Sequence, residues 1–489
     1  MSVKILVNAV DPEECRIATI RKNKLDGFYI ERASKAITHG NIYKGIITRI
    51  EPSLQAVFVD YGAERHGFLG QKEIHSDYYQ DNPSRSKTLS HLVKTGQEVL
   101  VQITKDPFMK KGAMLTTYVS LPGRYVVLMP GSVNRGISRK IEDEKERSRL
   151  KNIIERLKLP EDFGLIVRTA GEKCTTTRIS KDMSYLLRLW KNINKNVTNE
   201  KAPCLLYKDR NLVLRSLRDY FTSDVTEILI DNEALYREAK NFIKIIAPKE
   251  IRIVKLYKGA KPIFSKYQLE TQIASIFQSR VGLKSGGSIV IEQTEALVAI
   301  DVNSGKATKE KSIEQTALHT NMEAAEEIAR QLRLRDLGGL VVLDMIDMRD
   351  RKHKAQVEKA VKLHVKVDKA KTKIGKISQF GLIEMSRQRI RPSIEFSSFE
   401  TCRHCQGKGQ IPSLETRSLS FLRELSAMAL KSEIVSIKCI VPVDVAEYLL
   451  NKKRKELIEL ETSRGININI VADSSMTHME SKIDCCQNL

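Results

Sequence analysis

The sequence predicts a multidomain α/β and α+β protein, on three observations. Its 489 residues exceed what one hydrophobic core usually organises. Residues 37–120 are crowded with short alternating strands separated by turn residues. Two later apolar runs, LVAID at 297–301 and LVVLD at 340–344, each close on an aspartate and flank a long helical pattern, as interior strands of a covered sheet do.

In chain order, residues 1–36 open with the strand pattern VKILVNAV. A strand pair follows in CRIATIRKNKLDGFYI, with Asp26-Gly27 as its turn signal. In 37–120, GNIYKGIITRI alternates, Glu51-Pro52-Ser53 breaks it, QAVFVDY resumes and GQEVLVQIT follows; a small OB-type barrel is expected. Residues 121–213 mix the strands RYVVLM and GLIVRTA with the helical spacings KERSRLKNIIERL and KDMSYLLRLWKNI. Residues 214–276 are again α/β. Residues 277–398 hold two apolar strands about a turn near Gln293-Thr294-Glu295, then a long helix stopped by Gly338-Gly339, then LVVLDMIDM. Residues 399–412 form a glycine-containing loop with two cysteines. Residues 413–489 read as helix, strand, helix, strand and a polar tail.

The net charge of +22 favours a polyanionic partner, because each Lys or Arg set on a phosphate releases a counterion. A solvated basic surface is the plainer alternative. No apolar run nears the roughly 18 residues that span a bilayer, and MSVKILVNAV reads as a first strand rather than a leader. Six of the eight cysteines are scattered or adjacent at the tail, which is no disulfide framework and fits a reducing compartment.

The chemistry concentrates at Asp301 and Asp344. Carboxylates at strand ends leave the core where α/β folds place their sites. Two of them converging repel, and a hard divalent cation such as magnesium removes that cost while keeping waters to activate. Asn303, two residues on, shares the face of Asp301 if the strand continues. The alternative is that both aspartates merely begin turns. Lys306, Lys309 and Lys311 are candidate phosphate contacts, and Asp347 is a further acidic candidate of different register.

On the expected barrel, alternation turns Val57 and Val59 inward and Phe58 outward. Phe68, after Arg65-His66, and Lys110-Lys111 add an aromatic and charge, which is what stacked single-stranded bases need. The alternative is that either phenylalanine belongs to the barrel core. The strand LIV at 165–167 exits at Arg168-Thr169, a fork and a hydroxyl able to grip a terminal phosphate or simply to face water. Cys402-x-x-Cys405 has the spacing of half a zinc site, with idle thiols or a redox pair as alternatives.

These segments together resemble the ribonuclease E/G family. The likeness is carried by GNIYKGIITRIEPSLQAVFVDYGAERHGFL, LIVRTAG, GGSIVIEQTEALVAIDVNS, EIARQLRLRDLGGLVVLDMIDM, FGLIEMSRQR and CRHCQGKG, over about residues 1–475. The resemblance implies an RNase H-like domain (1–36 and 214–276) split by an OB-fold RNA-binding domain of ribosomal-protein-S1 type (37–120) and a 5′-sensor domain (121–213). A DNase I-like catalytic domain (277–398), a zinc link (399–412) and a small dimerisation domain with tail (413–489) would follow. It places Asp301 and Asp344 on the magnesium ligands and Asn303 on the catalytic asparagine. Phe58, Phe68 and Lys111 fall on the RNA channel. Gly123, Val127, Arg168 and Thr169 fall on the 5′-monophosphate pocket, with Lys371 where a further sensor arginine stands. Cys402 and Cys405 fall on a zinc pair shared between protomers.

The implied activity is magnesium-dependent cleavage of single-stranded A/U-rich RNA to 5′-phosphate and 3′-hydroxyl ends, in ribosomal RNA processing and mRNA decay, by a homodimer or homotetramer. A non-catalytic RNA-binding protein on the same fold is the competing expectation. The lysine at 371 keeps charge but not the bidentate fork. The tail after about Ile470 matches nothing in the pattern, and the long scaffold that gathers helicase and glycolytic partners in some members is not expected. The Lys- and Ile-rich composition points to an AT-rich genome and so to a plastid stroma, with a bacterial cytoplasm as the other setting.

Overall fold

The computed structural model describes residues 2–33, 38–80, 89–107, 111–222, 224–305, 312–389, 393–394, 398–430, 434–478 and 480–487. Lys110, Lys306, Lys309 and Lys311 lie outside the described residues. The chain divides into two compact units, Met1–Ser397 and Ser398–Leu489.

Among the described residues the first unit carries four sheets. One runs Val254–Leu256, Val225–Ile230, Val3–Asn8, Glu14–Arg21, Lys24–Arg32, parallel in its first two pairings and antiparallel in the rest. Its central strand VKILVN is nearly all apolar because both faces are covered. Ile5 and Val7 pack with Leu217, Phe242 and Ile243 on one side, and Leu6 packs with Phe264, Ile276 and Leu334 on the other. The hairpin between its last two strands turns at Lys22-Asn23, where both φ values are positive (49° and 61°), and not at Asp26-Gly27. Gly27 instead lies inside the strand opposite Thr19, whose Oγ1 a Cβ there would meet at 2.6 Å; the glycine relieves a bulge rather than making a turn.

The strands Ile42–Glu51, Ala56–Asp60, Gly67–Gly70, Met114–Thr116 and Glu98–Lys105 close into a barrel, because the first also pairs with the last. Ile47, Val57, Val59, Leu69, Val101 and Leu115 fill it. A four-stranded sheet ordered Arg135–Ile137, Phe163–Val167, Val126–Pro130, Leu121–Pro122 packs against the helices Glu144–Arg156 and Thr176–Asn199.

The sheet that positions the site runs Arg280–Gly282, Ser288–Gln293, Leu297–Asn303, Gly339–Asp344, Leu382–Arg387, Thr372–Ile377. The Leu297–Asn303 and Gly339–Asp344 strands are parallel neighbours, joined by the helix Ile313–Leu334. That helix and Arg351–Val365 bury one face: Val298, Ile300, Val302, Val341 and Leu343 pack with Ala324, Ile328, Val357 and Val361. The helix ends at Leu334, four residues before the glycines expected to stop it, with Asp336 left-handed (φ 50°). Gly339 already belongs to the next strand.

In the second unit Asn467–Ala472, Ile434–Val441 and Lys482–Gln487 form a sheet, with the helices Leu414–Met428, Val443–Lys452 and Arg454–Arg464. The expected polar tail is thus a strand, antiparallel to Ile434–Val441. Ile483 and Cys485 are the residues it packs on the core, too brief an alternation to read beforehand.

One buried ion pair ties the last part of the site sheet together: Arg387 Nε donates to Asp368 Oδ2 at 2.7 Å, both side chains almost wholly buried. Asp368→Ala leaves the guanidinium without its counter-charge and is expected to cost about 3–5 kcal/mol of unfolding free energy. Urea unfolding of the two proteins checks this.

Candidate active site and RNA-binding surface

The parallel pairing sets Asp301 directly beside Asp344. Neighbouring strands lie about 4.8 Å apart, so register alone brings the two carboxylates together. Alternation decides the face. Val302, Ile300 and Leu343 turn into the helices, whereas Asp301 and Asp344 are exposed on the open side. The strand continues through Asn303, whose Nδ2 donates to Asp301 Oδ2 at 2.7 Å. Partial burial pushes the Asp344 carboxyl up, and the negative charges of Asp301 and Asp347 push it further. Asp347, ranked behind the pair on register, therefore does bear on the site. Among the described residues no three His, Cys, Asp or Glu side chains form a ready metal cluster. The donors present are two carboxylates and an amide, a set that suits a cation retaining several waters.

The loop after Asp344 is pinned from the covering helix. Asn321, wholly buried, donates to Ile346 O at 2.8 Å and accepts from Ile346 N at 3.0 Å. Glu314 accepts from the Arg349 and Asp350 amides. Neither residue carried a signal in the sequence, since each is read only as part of a helix.

On the barrel, Phe58 and Phe68 are register partners, half-buried, with ring centroids 6.1 Å apart and edge to face. Val57 and Val59 point inward as alternation requires. The row extends on both sides of the phenylalanines: Arg49 pairs with Phe58, and Met114 pairs with Phe68 and Lys105. The Arg49 guanidinium lies 4.6 Å over the Phe58 ring and meets Glu51 at 3.0 Å. Arg49, Lys105 and Met114 escaped the sequence reading although strand alternation held the information. Lys111 is exposed, and Gly112 beside it passes so close to the His66 carbonyl that a Cβ would meet the oxygen at 2.1 Å.

At the third sheet, Arg168 leaves its strand and donates to Gly123 O at 2.6 Å and to Asp219 Oδ1 at 2.7 Å. Gly123 has no room for a Cβ, because Asp182 Oδ2 would sit 2.5 Å from it. Asp182 accepts from the Arg124, Tyr125 and Val126 amides; burial pushes its carboxyl up, partly offset by those bonds. Val127 pairs with Ile166, and Thr169 Oγ1 meets Ser138 Oγ at 3.2 Å. Lys371 is exposed, its carbonyl taken by the Gln388 amide. Lys369 donates to the Asp219 carbonyl and sits 3.6 Å from the centre of the Tyr220 ring. Asp219 was not foreseen, and nothing local in its sequence marks it.

In the second unit, Gln406 N donates to Cys402 O and Lys408 N to Cys405 O, both at 2.8 Å, around left-handed Gln406 and Gly407. The amides of Gly409 and Gly407 aim at the Cys405 sulfur and lower its thiol below the ordinary range, favouring the thiolate. The His404 ring lies 5.0 Å from that of His478. No helix among the described residues is long and apolar enough to cross a membrane.

The molecule is therefore a mixed α/β protein with a β-barrel, an aromatic and basic row on the barrel, and a carboxylate pair on an open sheet face. Its sequence matches the S1 RNA binding domain over residues 37–106, the Ribonuclease E/G family over 120–390, and the RNase E/G, Thioredoxin-like domain over 401–486. The last match includes the tail strand. The chain is 47% identical to Ribonuclease E of Haemophilus influenzae over 477 residues, which is 97% of this chain and 51% of that protein. It is 47% identical to Ribonuclease E of Escherichia coli K12 over 97% of this chain and 45% of that protein. It is 34% identical to Ribonuclease G of Escherichia coli K12, covering 96% of this chain and 97% of the relative. The chain belongs to the ribonuclease E/G family. It spans about half the length of these two ribonuclease E relatives.

Burial pushes the Asp219 carboxyl up, but the Arg218 and Arg168 guanidiniums outweigh it and hold it well below the usual carboxylate range. A folded-state value depressed in this way adds stability above the unfolded value of about 3.9, lost as pH falls through the folded one. Asp219→Asn should therefore unfold at lower urea than the parent at neutral pH. The gap should narrow once pH drops below about 3.9. Parallel urea titrations at the two pH values measure it.

Proposed function

We propose that this chain is a magnesium-dependent endoribonuclease that hydrolyses phosphodiesters in single-stranded, A/U-rich RNA, leaving 5′-phosphate and 3′-hydroxyl ends. The observation that carries the reading is the in-register placement of Asp301 beside Asp344 on the uncovered face, with the Asn303 amide on Asp301. The residues fit a hard divalent cation, because Asp344 is raised by partial burial and by its acidic neighbours, and a double positive charge removes that repulsion. When bound, magnesium supplies Lewis-acid polarisation of the phosphodiester and a water of lowered pKa. Asp301 and Asp344 would hold it, and Asn303 fixes the orientation of Asp301 through its hydrogen bond.

The barrel row supplies binding. Bases stack on Phe58 and Phe68, at roughly 1–3 kcal/mol each, while Arg49, Lys105 and Lys111 meet phosphates. The family match and the relatives named Ribonuclease E and Ribonuclease G support an RNA-cleaving role. Its uses would be ribosomal RNA maturation and mRNA turnover. Arg168 and Thr169 favour a 5′-monophosphate end, and Lys369 reaches the carbonyl of Asp219, the residue that holds Arg168. Cys402 and Cys405 offer two thiolates in tight turns, half of a tetrahedral zinc site, so a partner protomer would give the rest and link dimers into a tetramer. The scattered free cysteines suit a reducing compartment, and the Lys- and Ile-rich composition leans toward a plastid stroma over a bacterial cytoplasm.

Asp301→Asn or Asp344→Asn should lower cleavage of a labelled A/U-rich RNA by orders of magnitude while its affinity barely changes. Equal loss of binding and cutting would mean that the aspartates are structural. If the parent protein cuts as well in EDTA as in magnesium, or cuts in neither, the reading fails. Cys402→Ser should shift the assembly from tetramer to dimer in light scattering; an unchanged tetramer would sink the zinc link.

A further inference from the structure

The row of register partners that joins Asp301 to Asp344 does not stop at those two strands. Asp301 pairs with Val290, and Val290 pairs with Arg280 on the edge strand Arg280–Gly282. Directly opposed residues share one face of a sheet. The burial pattern agrees: Val281, Ile289 and Val302 lie in the core, while Arg280 and Asp301 are exposed and Val290 is half-buried. Arg280 therefore stands on the open face, two strands and about 10 Å from Asp301.

Its side chain is held in place. Nε donates to Ser288 Oγ at 3.1 Å, and Ser288, itself buried, is the register partner of Asn303. The terminal nitrogens of the guanidinium carry no hydrogen bond among the described residues. They are left to meet a ligand, and a guanidinium matches phosphate oxygens with two parallel donors.

Arg280 also lines a recess of about 440 Å³ whose wall holds four cations, Lys24, Arg280, Lys284 and Arg330, against one carboxylate, Glu327. Glu327 is already engaged: Arg330 meets it at 2.5 Å and Lys24 at 3.2 Å. Arg280 and Lys284 are the two cations of this wall that do not meet Glu327, and Lys284 also faces the Glu323 carboxylate.

We infer that Arg280, with Lys284 further along the same edge, binds the RNA backbone phosphate flanking the scissile one, and that the strand leaves the carboxylate pair across this edge of the sheet. The inference rests on the endoribonuclease reading and extends it to a subsite away from the barrel. An RNA whose scissile phosphate lies over Asp301 and Asp344 passes within reach of the Arg280 guanidinium. Arg280 acts on binding alone, with no part in the bond-breaking step.

The test uses the full chain carrying Asp301→Asn, so that RNA persists, and a fluorescent A/U-rich single-stranded oligoribonucleotide. Affinity is measured across about 50–200 mM salt, where each phosphate contact on a single strand contributes about 0.7 to the slope of log affinity against log salt. Arg280→Ala should lower the slope by about 0.7, and a second substitution, Lys284→Ala, by as much again. Arg280→Lys keeps the charge and should restore most of the slope. Arg237→Ala, at an exposed arginine paired with Glu233 one turn away on the helix Glu233–Ile246, should leave it unchanged. Weaker binding at an unchanged slope would mean that Arg280 only supports its edge strand, which overturns the inference; so would parental binding in both Arg280→Ala and Lys284→Ala. If the Asp301→Asn chain binds no RNA at all, the endoribonuclease reading falls first and takes this subsite with it.

Discussion

The parallel pairing of Leu297–Asn303 with Gly339–Asp344 is the interaction on which the rest of the molecule depends. Strands that share a helical crossover must be covered on the crossover side, and the helix Ile313–Leu334 does this. Once Ile300, Val302 and Leu343 are committed to that side, the period of two sends Asp301, Asn303 and Asp344 to the other. A slip of one residue in either strand would bury a carboxylate among apolar side chains. The same burial that stabilises the sheet therefore sets the polarity of the site.

The surroundings reinforce this placement. Asn321 spends both ends of its amide on the backbone of Ile346, so the chain leaving Asp344 follows one path. The Arg387–Asp368 pair fixes the far edge of the sheet and the segment that carries Lys369. Lys369 reaches the Asp219 carbonyl, and Asp219 holds Arg168. The sheet that carries the carboxylate pair and the arginine at the end of the third sheet are thus joined by a short succession of polar contacts within one compact unit. A guanidinium engaged by a carboxylate is already oriented, so Arg168 is a fixed fork rather than a mobile chain.

The barrel uses the same period of two for another purpose. Its inward residues close a small core, and its outward residues line up across strands as Arg49, Phe58, Phe68 and Met114. Arg49 over Phe58 places a positive charge beside a stacking face, which suits a polymer of alternating bases and phosphates.

Much of this was legible beforehand. Asp301, Asn303 and Asp344 announced themselves by type and spacing, Phe58 by alternation, and Cys402 with Cys405 by the two-residue gap, because each signal is local to one strand or one turn. The hairpin turn was misplaced because Lys22-Asn23 lacks glycine, yet asparagine tolerates the left-handed region. The tail strand was missed because two half-buried residues give too short a pattern. Arg280, Asp219, Asn321 and Lys369 could not have been found, since each matters through a neighbour distant in sequence. Residue chemistry and periodicity fix what a strand offers to each face; which strands lie side by side, and in what register, is settled only when the helices bury one face of the sheet and the whole chain packs.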